Sequence, residues 1–291
     1  MDARDLVTFE AVARLGGMGR AARELNTVQS NVTQRVRRLE AELGVALFER
    51  DRSGARPTPA GERLLPYAAR VGALLAEAGR AARDDGAPRG ALTIGSLETT
   101  AALRLSPVLA SYVTAFPGVD LILRTGTTAE LIERVLDRDL EGAFVCGPVA
   151  HPLLVATPVF EEELALLSAP SQRSLAALLR RPDLRLVILR AGCSYRQRLE
   201  EVLARRGIVG LRRLEFGTLE AILGAVAADL GVTLLPRALI GPAWRGGPIK
   251  VHRLPAAEAR VQTVFVRRRD IRSSSALAAF QKHSVRRNAA A

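Results

Sequence analysis

Several residue types that usually carry chemistry are scarce in this chain of 291 residues. There are two cysteines, three histidines, two lysines (Lys250 and Lys282) and 4% aromatic residues. Cys146 and Cys193 lie far apart and form no metal-ligand spacing, and His151, His252 and His283 are scattered, so neither a metal site nor a disulfide scaffold is expected. No run of about 18 apolar residues exists. Even LEAILGAVAADLGVTLLP is broken by Glu220 and Asp229, which excludes a predicted membrane helix. The opening residues, MDARDLVTFEAVARLGG, carry acids early and lack the apolar core of a secretory signal, so a cytoplasmic protein with no membrane partner is expected. A Walker loop, a GxGxxG after a strand, and a nucleophile with a plausible histidine partner are all missing. That leaves no predicted catalytic residue and no predicted cofactor.

What the chain has is positive charge, +12 formally, with 48% hydrophobic residues. Such a balance favours polyanionic partners, nucleic acid first and anionic membrane second. The charge does not locate the surface. Residues 1–89 hold 15 arginines against 12 acids, a net of +3, and the remaining +9 falls in residues 90–291. The length suggests two domains, each able to bury its own core.

Residues 1–58 read as helices followed by a hairpin. DLVTFEAVARLG places Leu6, Phe9, Val12 and Ala13 on one stripe, and GRAARELN turns Ala21, Ala22 and Leu25 inward. Asn26 suits a left-handed helix end and Thr27 suits the next cap, leaving the short turn of a helix-turn-helix. In QSNVTQRVRRLEAEL, Val32, Val36 and Leu39 form a narrow apolar stripe. Gln29, Ser30, Asn31, Thr33 and Gln34 supply the amides and hydroxyls that major-groove base edges can match. Arg35, Arg37 and Arg38 suit phosphates on either side. In the Gly/Pro/Arg-rich segment that follows, Arg50, Arg52 and Arg56 would reach phosphates or a minor groove as a wing, although each taken singly is more often a solvated arginine. Thr58-Pro59 then starts a helix over residues 59–83, with Pro66 expected to kink it. Its stripe of Leu64, Tyr67, Ala68, Val71, Leu74 and Leu75 is too wide for a lone solvated helix and predicts pairing with a second copy. Residues 59–89 therefore read as a linker and dimerisation helix ending in the hinge DDGAPRG.

From residue 90 strand-like runs alternate with helical ones, which predicts parallel sheets covered on both faces. Strands are expected at 91–96, 119–126, 142–147, 163–169, 184–192, 212–218, 231–239, 249–254 and 261–268. Helices are expected at 99–115, 128–139, 194–206 and 218–229. Two related α/β lobes emerge, lobe I over about 90–160 plus 265–291 and lobe II over about 161–264, with a cleft at the carboxyl ends of the strands. Small polar residues recur at the strand-to-helix joints: Ser96, Thr99 and Thr100; Thr127 and Thr128; Gly147 after the third strand; Cys193 and Ser194; and Thr218. Exposed N–H groups there would favour an anionic ligand. Each hydroxyl taken singly is equally an ordinary N-cap. Cys193 is either a stabilised thiolate at a helix start or a small packed residue. Cys146 reads as strand-end core, and the final KHSVRRNAAA reads as frayed.

GRAARELNTVQSNVTQRVRRLEAELGVALFER, followed by TPAGERLLPYA, resembles the N-terminal winged helix-turn-helix of LysR-type transcriptional regulators. GALTIGS, FPGVDLILRTG, LIERVLDRDLEGAFV and LGVTLLPRAL continue the resemblance through a two-lobed domain like periplasmic binding proteins of type II. The resemblance implies a bacterial homotetrameric regulator that binds double-stranded promoter or operator DNA and responds to a small molecule held between the lobes. By motif position, Gln29, Ser30, Thr33 and Gln34 would face bases and Arg52 or Arg56 would be the wing contact, while Thr99, Thr100, Thr127 and Thr128 would touch effector. Val28 stands where many members have serine, and Gln34 where arginine is frequent. VQSNVT and GCSYR are similar to a subgroup around YofA and the sarcosine-operon regulators. Redox-sensing members use two nearby cysteines in one lobe, a pattern that Cys146 and Cys193 do not follow. The rival readings are a solute-binding module and a cytosolic enzyme on the same α/β fold.

Overall fold

The computed structural model describes residues 1–51, 54–172, 174–241 and 247–288. The chain divides into two compact units, Met1–Asp84 and Asp85–Ala291. In the first, helices α1 (Ala3–Leu15), α2 (Met18–Glu24) and α3 (Gln29–Leu43) precede an antiparallel hairpin, β1 (Phe48–Asp51) and β2 (Gly54–Pro57), and helix α4 (Pro59–Arg83). Phe9, Val12, Val32, Val36 and Leu39 are fully buried together, with Phe9 against Phe48 at 5.2 Å. The first unit's core thus draws on the stripes predicted for α1 and α3.

The α2–α3 turn is closed as expected by Asn26 in a left-handed conformation (φ 49°). The cap differs. Val28, with no side-chain acceptor to offer, precedes α3, and the Thr27 hydroxyl instead accepts from the Asn31 amide at 2.9 Å. At its far end α3 stops on Gly44 (φ 69°), which adopts the left-handed geometry at no steric cost. Glu40 accepts from the Leu47 N–H at 2.9 Å and so ties the hairpin to α3. Thr58 caps α4 by accepting from the Gly61 N–H, with Pro59 at the first helical position. A Cβ at Gly61 would lie 2.3 Å from the Leu47 carbonyl oxygen, so only glycine fits. Helix α4 runs on as one helix through Pro66.

The second unit opens with β3 (Gly90–Ser96), α5 (Glu98–Thr100), a π-helical segment (Ala101–Leu105) and α6 (Ser106–Ala115). Next come β4 (Val119–Thr125), α7 (Thr128–Leu136), β5 (Gly142–Cys146) and the 15-residue strand β6 (Leu154–Ser168). Beyond it lie α8 (Leu175–Leu178), β7 (Arg185–Leu189), α9 (Ser194–Ala204), β8 (Arg212–Phe216), α10 (Leu219–Ala227) and β9 (Thr233–Pro236). The unit ends with β10 (Lys250–Arg253), α11 (Ala256–Ala259), β11 (Arg260–Arg268) and α12 (Ser275–Asn288).

Only part of the predicted parallel arrangement holds. Among the described residues β4-β3-β5 is parallel, but β11 pairs antiparallel with both β5 and β6. Strand β6 begins nine residues earlier than the apolar run 163–169 suggested. Its first part pairs with β11 and its last part with β9 and β10, so one strand belongs to both lobes. In lobe II, β7 and β8 pair in parallel, and Leu186 bridges to Val232.

Helix α12 continues through residues 282–288 of the segment expected to fray. Phe280 is fully buried, 5.2 Å from the Tyr112 ring and 6.1 Å from that of Phe144. Its truncation should leave a cavity in the core of lobe I. Phe280→Ala is expected to lower the stability of this unit by about 3–5 kcal/mol in urea unfolding. A loss below about 1 kcal/mol would mean that α12 is peripheral to the fold.

Candidate functional site

Two surfaces collect the candidate residues, one in each unit. On α3 the face opposite Val32, Val36 and Leu39 carries Ser30, Gln34 and Arg37 at helical spacing, all exposed. The side chains of these three make no hydrogen bond to another described residue, so their polar ends are free for a partner. Gln29 is exposed at the start of the helix. Asn31 and Thr33 are partly spent within α3, because Asn31 donates to Thr27 and the Thr33 hydroxyl donates back to the Gln29 carbonyl at 2.9 Å. Arg56 is exposed on β2. Arg52 and the Arg50 side chain lie outside the described residues.

Arg35 and Arg38, expected as phosphate ligands, also hold an acid of their own unit. Asp5 on α1 is fully buried, and its two oxygens accept from Arg35 Nη1 at 3.1 Å and from Arg38 Nε at 2.7 Å. Arg38 also reaches Asp2 at 3.4 Å. Arg35 lies on the flank of the apolar stripe, facing α1, and its side chain is only 24% exposed. A buried carboxylate needs such cations, since removing them strands its charge in the interior.

The second surface is the cleft between the lobes, a cavity of about 240 Å³. Of the predicted residues it gathers Thr99, Thr127, Thr128, Cys193, Ser194 and Thr218. Ser96, Thr100 and Gly147 do not line it. Ser96 is buried at the end of β3 and donates to the Leu97 carbonyl. Thr100 is buried with its hydroxyl unpartnered. The Gly147 N–H donates to the Gln262 carbonyl, and a Cβ on Gly147 would meet Val264 at 2.9 Å. These three follow the right strands but face into packed protein.

Four features of the cleft were missed because only small residues at strand-to-helix joints were sought. Arg190 directly follows β7, Glu98 opens α5, Tyr195 stands in the first turn of α9, and Cys146 ends β5 facing the cavity. Arg190 and Glu98 stand where a strand gives way to a helix, the same positional signal that marked the threonines. The two cysteines, distant in sequence, line one cavity. Burial pushes both thiols above their ordinary range, despite backbone N–H groups of Tyr195 and Arg196 that point at Cys193. Cys193 is therefore a packed thiol, not a stabilised thiolate. Tyr195, 4% exposed, is raised too, chiefly by desolvation, and its hydroxyl lies 3.5 Å from that of Thr99.

Two helix N-termini at the cavity, those of α7 and α10, are capped by the protein itself, whereas α9 follows Cys193 with no side-chain cap. Thr127 and Glu130 form a reciprocal capping box on α7, with Thr127 N–H donating to Glu130 at 2.9 Å. Ala129 N–H donates across to the Gly192 carbonyl at 3.4 Å. On α10, Thr218 accepts from the Ala221 N–H and Glu98 accepts from the Leu219 N–H, both at 3.3 Å.

Sequence models of known families match this arrangement in register. Helices α1 to α3 and the hairpin fall within a match, over residues 3–62, to the bacterial regulatory helix-turn-helix proteins of the lysR family. Residues 85–289, which contain the cleft, match the LysR substrate binding domain. The chain belongs to the LysR family. It is thus a LysR-type transcriptional regulator with a DNA-binding helix-turn-helix and an effector-binding domain. This regulator is 40% identical to the HTH-type transcriptional regulator GltR of Bacillus subtilis, over 97% of this chain and 96% of that protein. It is 42% identical to the HTH-type regulator YusT of the same organism, over 96% and 94%. Its structure is similar to that of full-length CbnR complexed with its target DNA, at 27% identity and a TM-score of 0.69, covering 99% of this chain and 100% of that one.

The arginines of α3 should separate by role. Replacing Arg35 and Arg38 together by alanine is expected to destabilise the N-terminal unit by roughly 3–5 kcal/mol, because Asp5 is left buried without a cation. Arg37→Ala should leave stability within about 0.5 kcal/mol. Thermal unfolding of both variants decides it, and an unchanged double variant would strip Asp5 of its structural role.

Proposed function

We propose that this LysR-type regulator reads its operator with Gln29, Ser30, Asn31, Thr33 and Gln34 on α3, with Arg37 and Arg56 on flanking phosphates. The observation that carries the reading is the free row of Ser30, Gln34 and Arg37 on the solvent face of a helix whose other faces are committed. An amide and a hydroxyl supply donors and acceptors for base edges, and the guanidinium reaches the backbone. Arg35 and Arg38 act chiefly by holding α3 on Asp5.

We also propose that the interlobe cleft binds a small anionic metabolite in the cytoplasm without turnover, through Thr99, Thr127, Thr128, Cys193, Ser194 and Thr218. Its hydroxyl-rich lining and Arg190, the one cation there among the described residues, support that reading. Assembly into dimers, and from them tetramers, would use α4. Tyr67, Leu74 and Leu75 are 64%, 49% and 49% exposed there, an apolar row that a second α4 would cover. Two recognition helices could then be spaced about one DNA turn apart.

A mobility-shift titration on DNA upstream of the protein's own gene tests the central reading. Competitor-resistant binding is expected, and binding no tighter than to scrambled DNA would overturn it. On that operator, Gln34→Ala should relax preference at one base pair by about 1–3 kcal/mol. Arg37→Ala should weaken all sequences alike and reduce the salt slope by about one. Leu74→Glu with Leu75→Glu should shift the protein toward monomer in sedimentation and weaken operator binding together. An unchanged sedimentation coefficient would remove α4 from the interface.

A further inference from the structure

We propose that Arg190 is the carboxylate-binding residue of the cleft and that Glu130 holds it in reserve, so that the effector's carboxylate takes the place of the protein's own. This inference rests on the reading of the cleft as an effector site.

An anion in the cavity meets few donors that are still available. The N-termini of α7 and α10 are engaged, α7 by Glu130 and the Gly192 carbonyl, and α10 by Glu98 and Thr218, while α9, which follows Cys193 with no side-chain cap, offers only uncharged N–H groups. Arg190 is the one cation lining the cavity among the described residues. Its side chain is 52% exposed, and its Nη2 lies 3.1 Å from Glu130 Oε2. An arginine in a solvated cleft, already on a carboxylate, is primed to accept another of the same geometry.

Glu130 is placed to release it. Its carboxylate also accepts the Thr127 N–H, and that bond together with the nearby guanidinium holds it below the usual carboxylate range. When Arg190 leaves, Glu130 keeps its backbone donor and its capping role on α7. The exchange therefore trades one guanidinium–carboxylate contact for another and strands no charge.

The contact also crosses the cleft. Arg190 follows β7 in lobe II, whereas Glu130 lies on α7 in lobe I. Exchange removes one tie between the lobes and leaves the Glu98–Leu219 and Gly192–Ala129 hydrogen bonds in place. Effector binding would thus alter how the lobes are held together through one ion pair.

Glutamine at position 130 makes a clean test, because a capping box accepts either Glu or Gln at this position. Full-length wild type, Glu130→Gln and Arg190→Gln would be titrated with sodium acetate and sodium succinate at constant ionic strength, against sodium chloride, reading the shift in thermal unfolding. Freeing Arg190 from its internal competitor should lower the half-saturating carboxylate concentration in Glu130→Gln by about two- to fivefold. Arg190→Gln should abolish saturable binding, while both variants shift operator DNA as wild type does. Saturable binding that Glu130→Gln does not tighten overturns the exchange and leaves the cleft reading standing. Saturable binding that survives in Arg190→Gln overturns the assignment of Arg190. Carboxylate binding by none of the three proteins overturns both this proposal and the anionic character of the effector, without touching the DNA-binding role.

Discussion

Strand β6 is the constraint on which the effector-binding unit depends. Its first residues sit in the lobe I sheet beside β11, and its last residues carry β9 and β10 of lobe II. Neither lobe can move freely while a continuous ladder joins them, so relative motion has to be bending where β6 and β11 cross. The ladder is irregular at that point. Between the Thr263–Phe160 and Val264–Pro158 pairs the register slips by one residue, which locally increases twist and weakens the ladder. Just beyond, Glu162 is buried on β6 and held by Arg104 at 2.7 Å, so the crossing is also pinned to the π-helical segment. The cleft is the space this crossing leaves open.

The DNA-binding unit solves a different problem, how to present a helix while keeping its orientation fixed. A narrow apolar stripe alone would let α3 roll. Asp5 prevents this by accepting from two arginines on successive turns of α3, and Glu40 adds a tie from α3 to the hairpin. The polar face that remains is small, and its residues are those without intramolecular duties. Two of the arginines on a helix that looks made for phosphate are thus engaged with the protein itself.

Much of this was legible in the residues. The stripes of α1 and α3 follow from helical spacing, and Thr58-Pro59 marks the start of α4 because capping and proline both act locally. Thr99, Thr127, Thr128 and Thr218 meet at one cavity for the same reason. What escaped were pairings made in tertiary space. Nothing near Asp5 in sequence says that it is buried or that Arg35 and Arg38 will find it. The first part of β6, LVATPVFEEE, carries a proline and three glutamates and does not look like a strand. Its acids are accommodated by Arg260, Arg104 and Arg237 from elsewhere in the chain. Arg190 and Glu98 read as ordinary charged residues until the lobes bring their partners across. Ser96, Thr100 and Gly147 show the converse, since a strand-end position does not decide which side of the sheet a residue faces.

The sharing of β6 has an evolutionary corollary. Side chains along a strand alternate between faces, so inserting or deleting one residue midway along β6 would turn every later side chain to the opposite side. Leu164 and Leu166 would trade places with their neighbours, and β9 and β10 would lose their register together. Surface loops tolerate changes of length, but in the middle of β6 such a change would shift both lobes at once.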